Sequence, residues 1–163
     1  MKLLPLPDNF DKNEWFLVIS LIISYVSILF LKRKFHSSIF LLLIVFSACI
    51  ARIADFILAG PGLDMYDLMD TKYFDLTDLL TYLLYGPFAI VFIYIYEKFN
   101  LTGIKTFIYI LVFSTIGTAF EYLTVIFKVF TFKEWKSFYS FNVYLIVQLL
   151  TLIFYHFVKK YYK

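Results

Sequence analysis

An all-α bundle that crosses a bilayer about five times is the fold this sequence predicts, and three observations predict it. Of its 163 residues 62% are hydrophobic and only 17% charged, with a mean hydropathy of +0.81. A soluble domain carries about a quarter charged residues and less than half apolar. The apolar residues also fall into five stretches, each near the ~20 residues a spanning helix needs. The connections between them are short, so one transmembrane domain over residues 1–163 uses the whole chain and leaves no length for a separate soluble domain.

The first span is read from about Trp15 to Leu31 and stops at Lys32, Arg33 and Lys34. The second covers about 37–58 and ends at Gly60-Pro61-Gly62, a strong helix stop. An acidic loop with Asp64, Asp67 and Asp70 leads into the third span, about 75–96, which has Gly86-Pro87 inside it. A proline there removes a backbone hydrogen bond and bends the helix, making room beside it. The fourth span covers about 104–127, and a loop carrying Lys133, Glu134, Trp135 and Lys136 follows. The fifth covers about 141–158 and ends in Lys159, Lys160 and Lys163.

Short loops rich in Lys and Arg stay on the cytoplasmic side. The Lys32–Lys34 turn, Lys98, Lys105 and the C-terminal lysines share one side, which predicts the N-terminus outside and the C-terminus cytoplasmic. Only Lys128, Lys133 and Lys136 argue the other way. Trp15, Tyr73, Trp135, Tyr161 and Tyr162 fall at span ends, where amphipathic rings favour the headgroup region. The first fifteen residues lack a basic segment feeding an apolar core, so the first span is expected to persist in the mature protein.

Net charge is +3, and the basic residues are clustered at span ends, which gives nucleic-acid binding no support. The single cysteine, Cys49, permits neither an internal disulfide nor a cysteine-based metal site. No Ser/His/Asp set, glycine-rich phosphate loop or metal-spaced histidine pair is present; His36 and His156 fall at span edges. Hard cations favour carboxylate oxygens, which makes the acidic loop worth testing. The Ala51-Arg52 pair followed by Gly62, Asp64 and Asp67 lacks the acidic pair, glycine and spacing of a CDP-alcohol phosphotransferase signature. Membrane-embedded prenyltransferases need more helices and a second such loop. The loop is therefore read as solvated, with no metal and no cofactor.

Ionisable groups inside spans are costly and mark candidate sites. Here they are Arg52, Asp55, Asp78 and Glu121. At 1.5 Å rise per residue all four fall roughly 5–9 Å below the outer end of their helices, in one layer. Arg52 and Asp55, three apart, are read equally as a mutually neutralising pair; Glu121 is read also as neutral interhelical glue. Polar or small residues recur on one face of each span: Ser20, Ser24 and Ser27; Ser47, Ala51, Ala54 and Asp55; Asp75, Asp78, Tyr82 and Tyr85; Ser114, Gly117, Thr118 and Glu121; Tyr144, Gln148, Thr151 and Tyr155. The simplest assembly turns all five faces inward.

At Asp55, Pro87, Glu121 and the run Trp135-Lys136-x-x-Tyr139-Ser140 followed by Tyr144, the chain resembles a group of small uncharacterised multi-pass membrane proteins of spore-forming Gram-positive bacteria. The resemblance covers about Ile44 to the C-terminus. Members often carry a tryptophan and prolines after the second helix, where this chain reads GPGLDMYDLMDTKYFD. It implies a bacterial cell membrane and no particular activity.

The leading expectation is a polar pocket near the outer leaflet that binds a small polar molecule, a lipid headgroup or an ion. Arg52 would hold an anion or neutralise acids, Asp55, Asp78 and Glu121 would accept protons, cations or donors, and Tyr82, Tyr122 and Tyr144 would line it. An enzyme acting on a membrane lipid with Glu121 as acid/base is the alternative, and a structural subunit in a homo-oligomer or with a membrane-protein partner is the third. The lack of ionisable residues in the inner half argues against transport across the whole bilayer.

Overall fold

The computed structural model describes residues 5, 7, 9–31, 36–69 and 75–162. Lys32, Arg33, Lys34, Asp70, Tyr73 and Lys163, used above for loops and orientation, lie outside the described residues. Five helices run in order: α1 Lys12–Leu29, α2 Ser37–Leu58, α3 Leu76–Lys98, α4 Ile104–Ile126 and α5 Ser137–Lys159. Each is long and apolar enough to cross a membrane. The fold is a polytopic transmembrane helix bundle.

Local chemistry sets the helix starts. Asp11 caps α1 through a capping box, in which Asp11 N donates to Glu14 Oε2 at 2.9 Å and Asn13 N to Asp11 Oδ1 at 3.3 Å. The helix therefore begins before Trp15, at Lys12. Asp75 caps α3 in the same way, with Thr77 N 2.8 Å from its Oδ1 and its own N–H donating to Asp78 Oδ2 at 2.9 Å. Gly60 closes α2: a Cβ there would lie 2.2 Å from the Phe56 carbonyl oxygen. Helix α5 starts four residues earlier than its hydropathy suggests, which places Ser140 in its first turn.

The two loops after α2 and α4 pair with each other, a feature not read from the sequence. Strand β1, Tyr66–Leu68, lies antiparallel to β2, Phe130–Phe132, with Tyr66 opposite Phe132. Three-residue strands are too short to show an alternating pattern. The Met65 carbonyl accepts from Lys133, Glu134 and Trp135 N–H groups at 3.0–3.2 Å, which anchors the Trp135 segment to the sheet. Lys133 Nζ also bridges Asp64 and Asp67 at 2.6 and 2.7 Å.

The hydrogen bonds from Lys133 to Asp64 and then Asp67 hold its ammonium above the usual lysine range. Any stability from this clamp is thus present below the lysine's unfolded pKa and lost as pH rises through the higher folded value. All three side chains are open to solvent, so their charges are screened. Lys133→Ala is expected to leave the thermal midpoint in detergent unchanged at physiological salt; a clear drop would show that the clamp holds the sheet.

Helix packing separates two apolar layers. At the end away from the sheet, Ile28, Ile39, Leu43, Ile90, Phe92, Ile93, Leu152, Tyr155 and Val158 form a solid core. Near the sheet, Leu17, Tyr66, Met69, Leu84, Val129 and Phe130 form a second. Gly86 lets α3 approach α2, since a Cβ there would sit 3.0 Å from the Ile44 side chain. Many large apolar side chains on the bundle's outside, such as Ile22, Leu41, Phe56, Ile108 and Ile153, are exposed and face lipid.

Pro87 lies inside α3, which continues through it. Proline has no N–H, so the carbonyl four residues earlier, Leu83, loses its helical donor. Tyr25 of α1 supplies one: its hydroxyl donates to the Leu83 oxygen at 3.0 Å. In lipid an orphan carbonyl is costly and a neighbouring helix is where such a replacement comes from. Tyr25→Phe is expected to cost about 1–2 kcal/mol. A thermal midpoint equal to wild type in detergent would remove this account of how α1 is held.

Candidate functional site

A cavity of about 150 Å³, counted as room for the centres of water-sized spheres, lies between the helices in the half of the bundle nearest the sheet. All five helices and both strands contribute to its wall. On α2 the wall runs from Leu58 to Ser47, on α3 from Thr81 to Phe92, on α4 from Thr124 to Phe113, and on α5 from Ser140 to Thr151. Each is twelve residues of helix, so at about 1.5 Å rise per step the cavity is roughly 16 Å long. That is about half of the ~30 Å hydrocarbon thickness. One water needs about 10–15 Å³ on this measure, so the slot has room for on the order of ten waters along its length. It ends on the solid apolar core of the other half.

The polar residues of the wall are not scattered. At the sheet end, Asp55 of α2 is buried and its Oδ1 accepts from the Tyr66 hydroxyl of β1 at 2.5 Å. Burial, and then the Asp55 charge, push the Tyr66 phenol well above its ordinary range, so Tyr66 stays the donor. Across the slot, Glu121 Oε1 accepts from the Ser140 hydroxyl, and Ser140 Oγ in turn accepts from Trp135 Nε1 at 2.7 Å. Tyr144, one turn below Ser140 on α5, lies beside Glu121. Tyr85 and Tyr144 both lie within electrostatic reach of Asp55 and of Glu121. Two carboxylates therefore flank a group of tyrosines at one end of an otherwise apolar slot.

The seven residues singled out from the sequence divide by position. Asp55, Glu121 and Tyr144 line the slot. Tyr82 is buried behind Asp55, with its hydroxyl beside that carboxylate. Asp78 is buried but occupied as the N3 residue of the α3 capping box, outside the slot wall. Arg52 is exposed and also outside the wall; its Nη1 donates to the Tyr82 hydroxyl at 3.3 Å, and its guanidinium lies 5.7 Å from the centre of that ring. Its charge faces both Asp55 and Asp78. Tyr122 is 59% exposed and turned away from the slot, a step of about 100° round the helix from Glu121.

The expectation that all five polar faces share one interior needs correcting at α1. Ser24 and Ser27 donate to their own helix, to Leu21 O and Ile23 O, and α1 meets the slot with Phe16 and Leu17. The α2 face lines the slot throughout, and on α5 Tyr144, Gln148 and Thr151 do, while Tyr155 belongs to the solid core. The pocket is also far more apolar than its polar residues suggest. Phe88, Phe120, Ile50, Val143 and Val147 occupy the wall between the acidic end and the floor.

Tyr66, Tyr85, Trp135 and Ser140 are site residues that the sequence reading did not select. Tyr85 carried a signal, because it repeats at helical spacing after Asp78 and Tyr82. Trp135 and Ser140 were visible as a motif without a partner. Tyr66 had no signal, since its place depends on the pairing of β1 with β2. Among the described residues no three His, Cys, Asp or Glu side chains come together in a group able to hold a metal ion. Of the loop acids, Asp64 and Asp67 engage Lys133.

Fold and site together define an α-helical integral membrane protein with an internal slot half a bilayer deep. Compared with known proteins, the chain matches no family model, no curated protein and no solved structure.

Proposed function

We propose that this protein is a membrane-embedded binding protein that takes one small amphiphilic molecule into the slot, polar end toward Asp55 and Glu121. The observation that carries this reading is the slot's construction: an apolar shaft of half-bilayer length, acidic at one end and closed at the other. A ligand pocket is mostly apolar with a few convergent polar groups that fix orientation, and this cavity has that composition. Of the ligand kinds considered from sequence, a lipid-derived molecule with a polar head suits an apolar shaft better than a bare ion or a wholly polar solute.

The protein is proposed to reside in the cell membrane with the N-terminus outside and the C-terminus cytoplasmic. The alternation of the helices then puts the sheet, and the acidic end of the slot, at the outer leaflet. Single cysteines introduced at Asp11, Asp67 and Lys133 in a Cys49→Ser background are expected to react with an impermeant maleimide on intact cells, and cysteines at Ser37, Asn100 and Lys163 to react only after lysis. Reaction from outside at 37 or 163 would overturn the orientation. Trp135, Ser140 and Tyr144, which carry the resemblance noted above, all serve Glu121, so a family sharing that run would share this end of the slot.

Binding is tested by extraction. Wild-type protein purified in mild detergent is expected to release a small molecule in near-stoichiometric amount. Ala54→Phe, which puts a ring into the slot beside Asp55, is expected to release little of it. Equal recovery from both proteins would mean the molecule is not held in the slot.

A further inference from the structure

If the slot binds an amphiphile, the arrangement of donors and acceptors in its wall says which kind. Asp55 is 7% exposed, and its Oδ2, unlike Oδ1, has no hydrogen-bond partner among the described residues. Gln148, 8% exposed and deeper in the same wall, has an Oε1 in the same condition. Nearly all buried polar atoms in folded proteins are partnered, and leaving one unmade costs about 1–3 kcal/mol. Two unpartnered atoms on residues that line one cavity point to a bound group there. Both are acceptors.

Three donors at the acidic end are already spent, and the Tyr85 and Tyr144 hydroxyls stand near the same two carboxylates. The Tyr66 hydroxyl goes to Asp55, the Ser140 hydroxyl to Glu121 and the Trp135 N–H to Ser140. Among the described wall residues there is no Lys, Arg or His. An anionic head entering here would meet two carboxylates with no base lining the slot, at low dielectric where like charges repel strongly. A neutral alcohol brings one donor. An ammonium brings three donors and a positive charge, and a carboxylate accepts only.

We infer that the slot selects an amphiphile whose head is a protonated amine, held by Asp55 and Glu121, and discriminates against one with an anionic head. This rests on the binding reading above and deepens it. The sequence alone pointed to the opposite possibility, that Arg52 holds an anion. The structure puts Arg52 outside the slot wall, against the Tyr82 ring, so its charge reaches Asp55 from behind and no base lines the slot beside the two carboxylates.

The test uses three probes with one chain and different heads: dodecylamine, dodecanol and dodecanoate. The chain carries two tryptophans, and Trp15→Phe leaves Trp135, whose N–H is bonded to the Glu121 partner Ser140, as the sole reporter. In phosphatidylcholine nanodiscs at neutral pH, dodecylamine is expected to change Trp135 emission at an apparent Kd at least about ten-fold lower than dodecanol, a difference of about 1.4 kcal/mol. Dodecanoate is expected to be the weakest. Glu121→Gln and Asp55→Asn should each shrink the ratio of dodecylamine to dodecanol affinity; a ratio unchanged in both variants would overturn the inference about charge. Dodecanol equal to dodecylamine, or dodecanoate strongest, would overturn the inference about charge and leave slot binding standing. Responses unchanged by Ala54→Phe would show that the probes act from the bilayer, and would overturn slot binding itself.

Discussion

Tyr66→Phe is expected to destabilise the bundle by about 2–3 kcal/mol, more than any other loss of one oxygen atom at the sheet end. The reason lies in what the hydroxyl serves. Asp55 is buried in a membrane helix, and its Oδ1 is partnered by Tyr66 at 2.5 Å while its Oδ2 has no partner among the described residues. A hydrogen bond to a charged group contributes about 1.5–3 kcal/mol, and its removal leaves the carboxylate more nearly bare. Tyr66 also ties β1 to α2, and among the described residues no other side chain of the strand pair bonds to a helix.

The same argument gives a sign for the companion variants. Asp55→Leu removes the buried carboxylate and leaves the Tyr66 hydroxyl orphaned, so it too should destabilise. In Asp55→Leu with Tyr66→Phe neither polar partner is left unmatched, and the double variant should lose less than the sum of the singles. Thermal unfolding in detergent of the three variants supplies the interaction term. A Tyr66→Phe protein within about 0.5 kcal/mol of wild type, or strictly additive losses, would mean that the short contact holds nothing together.

How far the sequence reaches can be judged from the same residues. Helix number, order and approximate limits were legible because each span is a long apolar stretch, a signal in which twenty residues agree. The stop at Gly60 was legible from local chemistry, whereas Asp75 was read as part of a polar face and caps α3 instead. Asp55 and Glu121 were legible as site candidates because an acid within a membrane helix is costly enough to stand out. Tyr66 was not, because an aromatic in a polar loop is ordinary and its role comes from pairing with residues more than sixty positions away. Asp78 misled for a physical reason: capping a helix and lining a pocket both call for a carboxylate near a helix end, and only geometry separates them. The apolar character of the slot was hidden as well. Phe88 and Phe120 look lipid-facing in a sequence where almost every position is apolar, and they meet each other at 4.9 Å inside the wall.

Val147→Trp is the substitution that separates a used slot from a packing defect, because the two readings predict different pairs of outcomes. Val147 stands on α5 midway between Tyr144, at the acidic end, and Thr151, at the floor, and all three line the slot. An indole there occupies room now left open among apolar neighbours such as Ile50, Gly117 and Phe120. Filling an apolar void recovers contacts that its lining has lost, while overfilling a packed site costs about 1–3 kcal/mol. With about 150 Å³ available, the expected outcome is a protein at least as stable as wild type when no ligand is added. It should bind dodecylamine at least about a hundred-fold more weakly, a change of roughly 2.7 kcal/mol, because the chain has no path past the indole. Wild type should gain stability on adding dodecylamine and the variant should not, since a ligand stabilises only the state it binds. If instead the variant is stabilised and still responds to dodecylamine as wild type does, the slot is a void that the sequence tolerates, and the acids at its sheet end hold the sheet to the helices and nothing more.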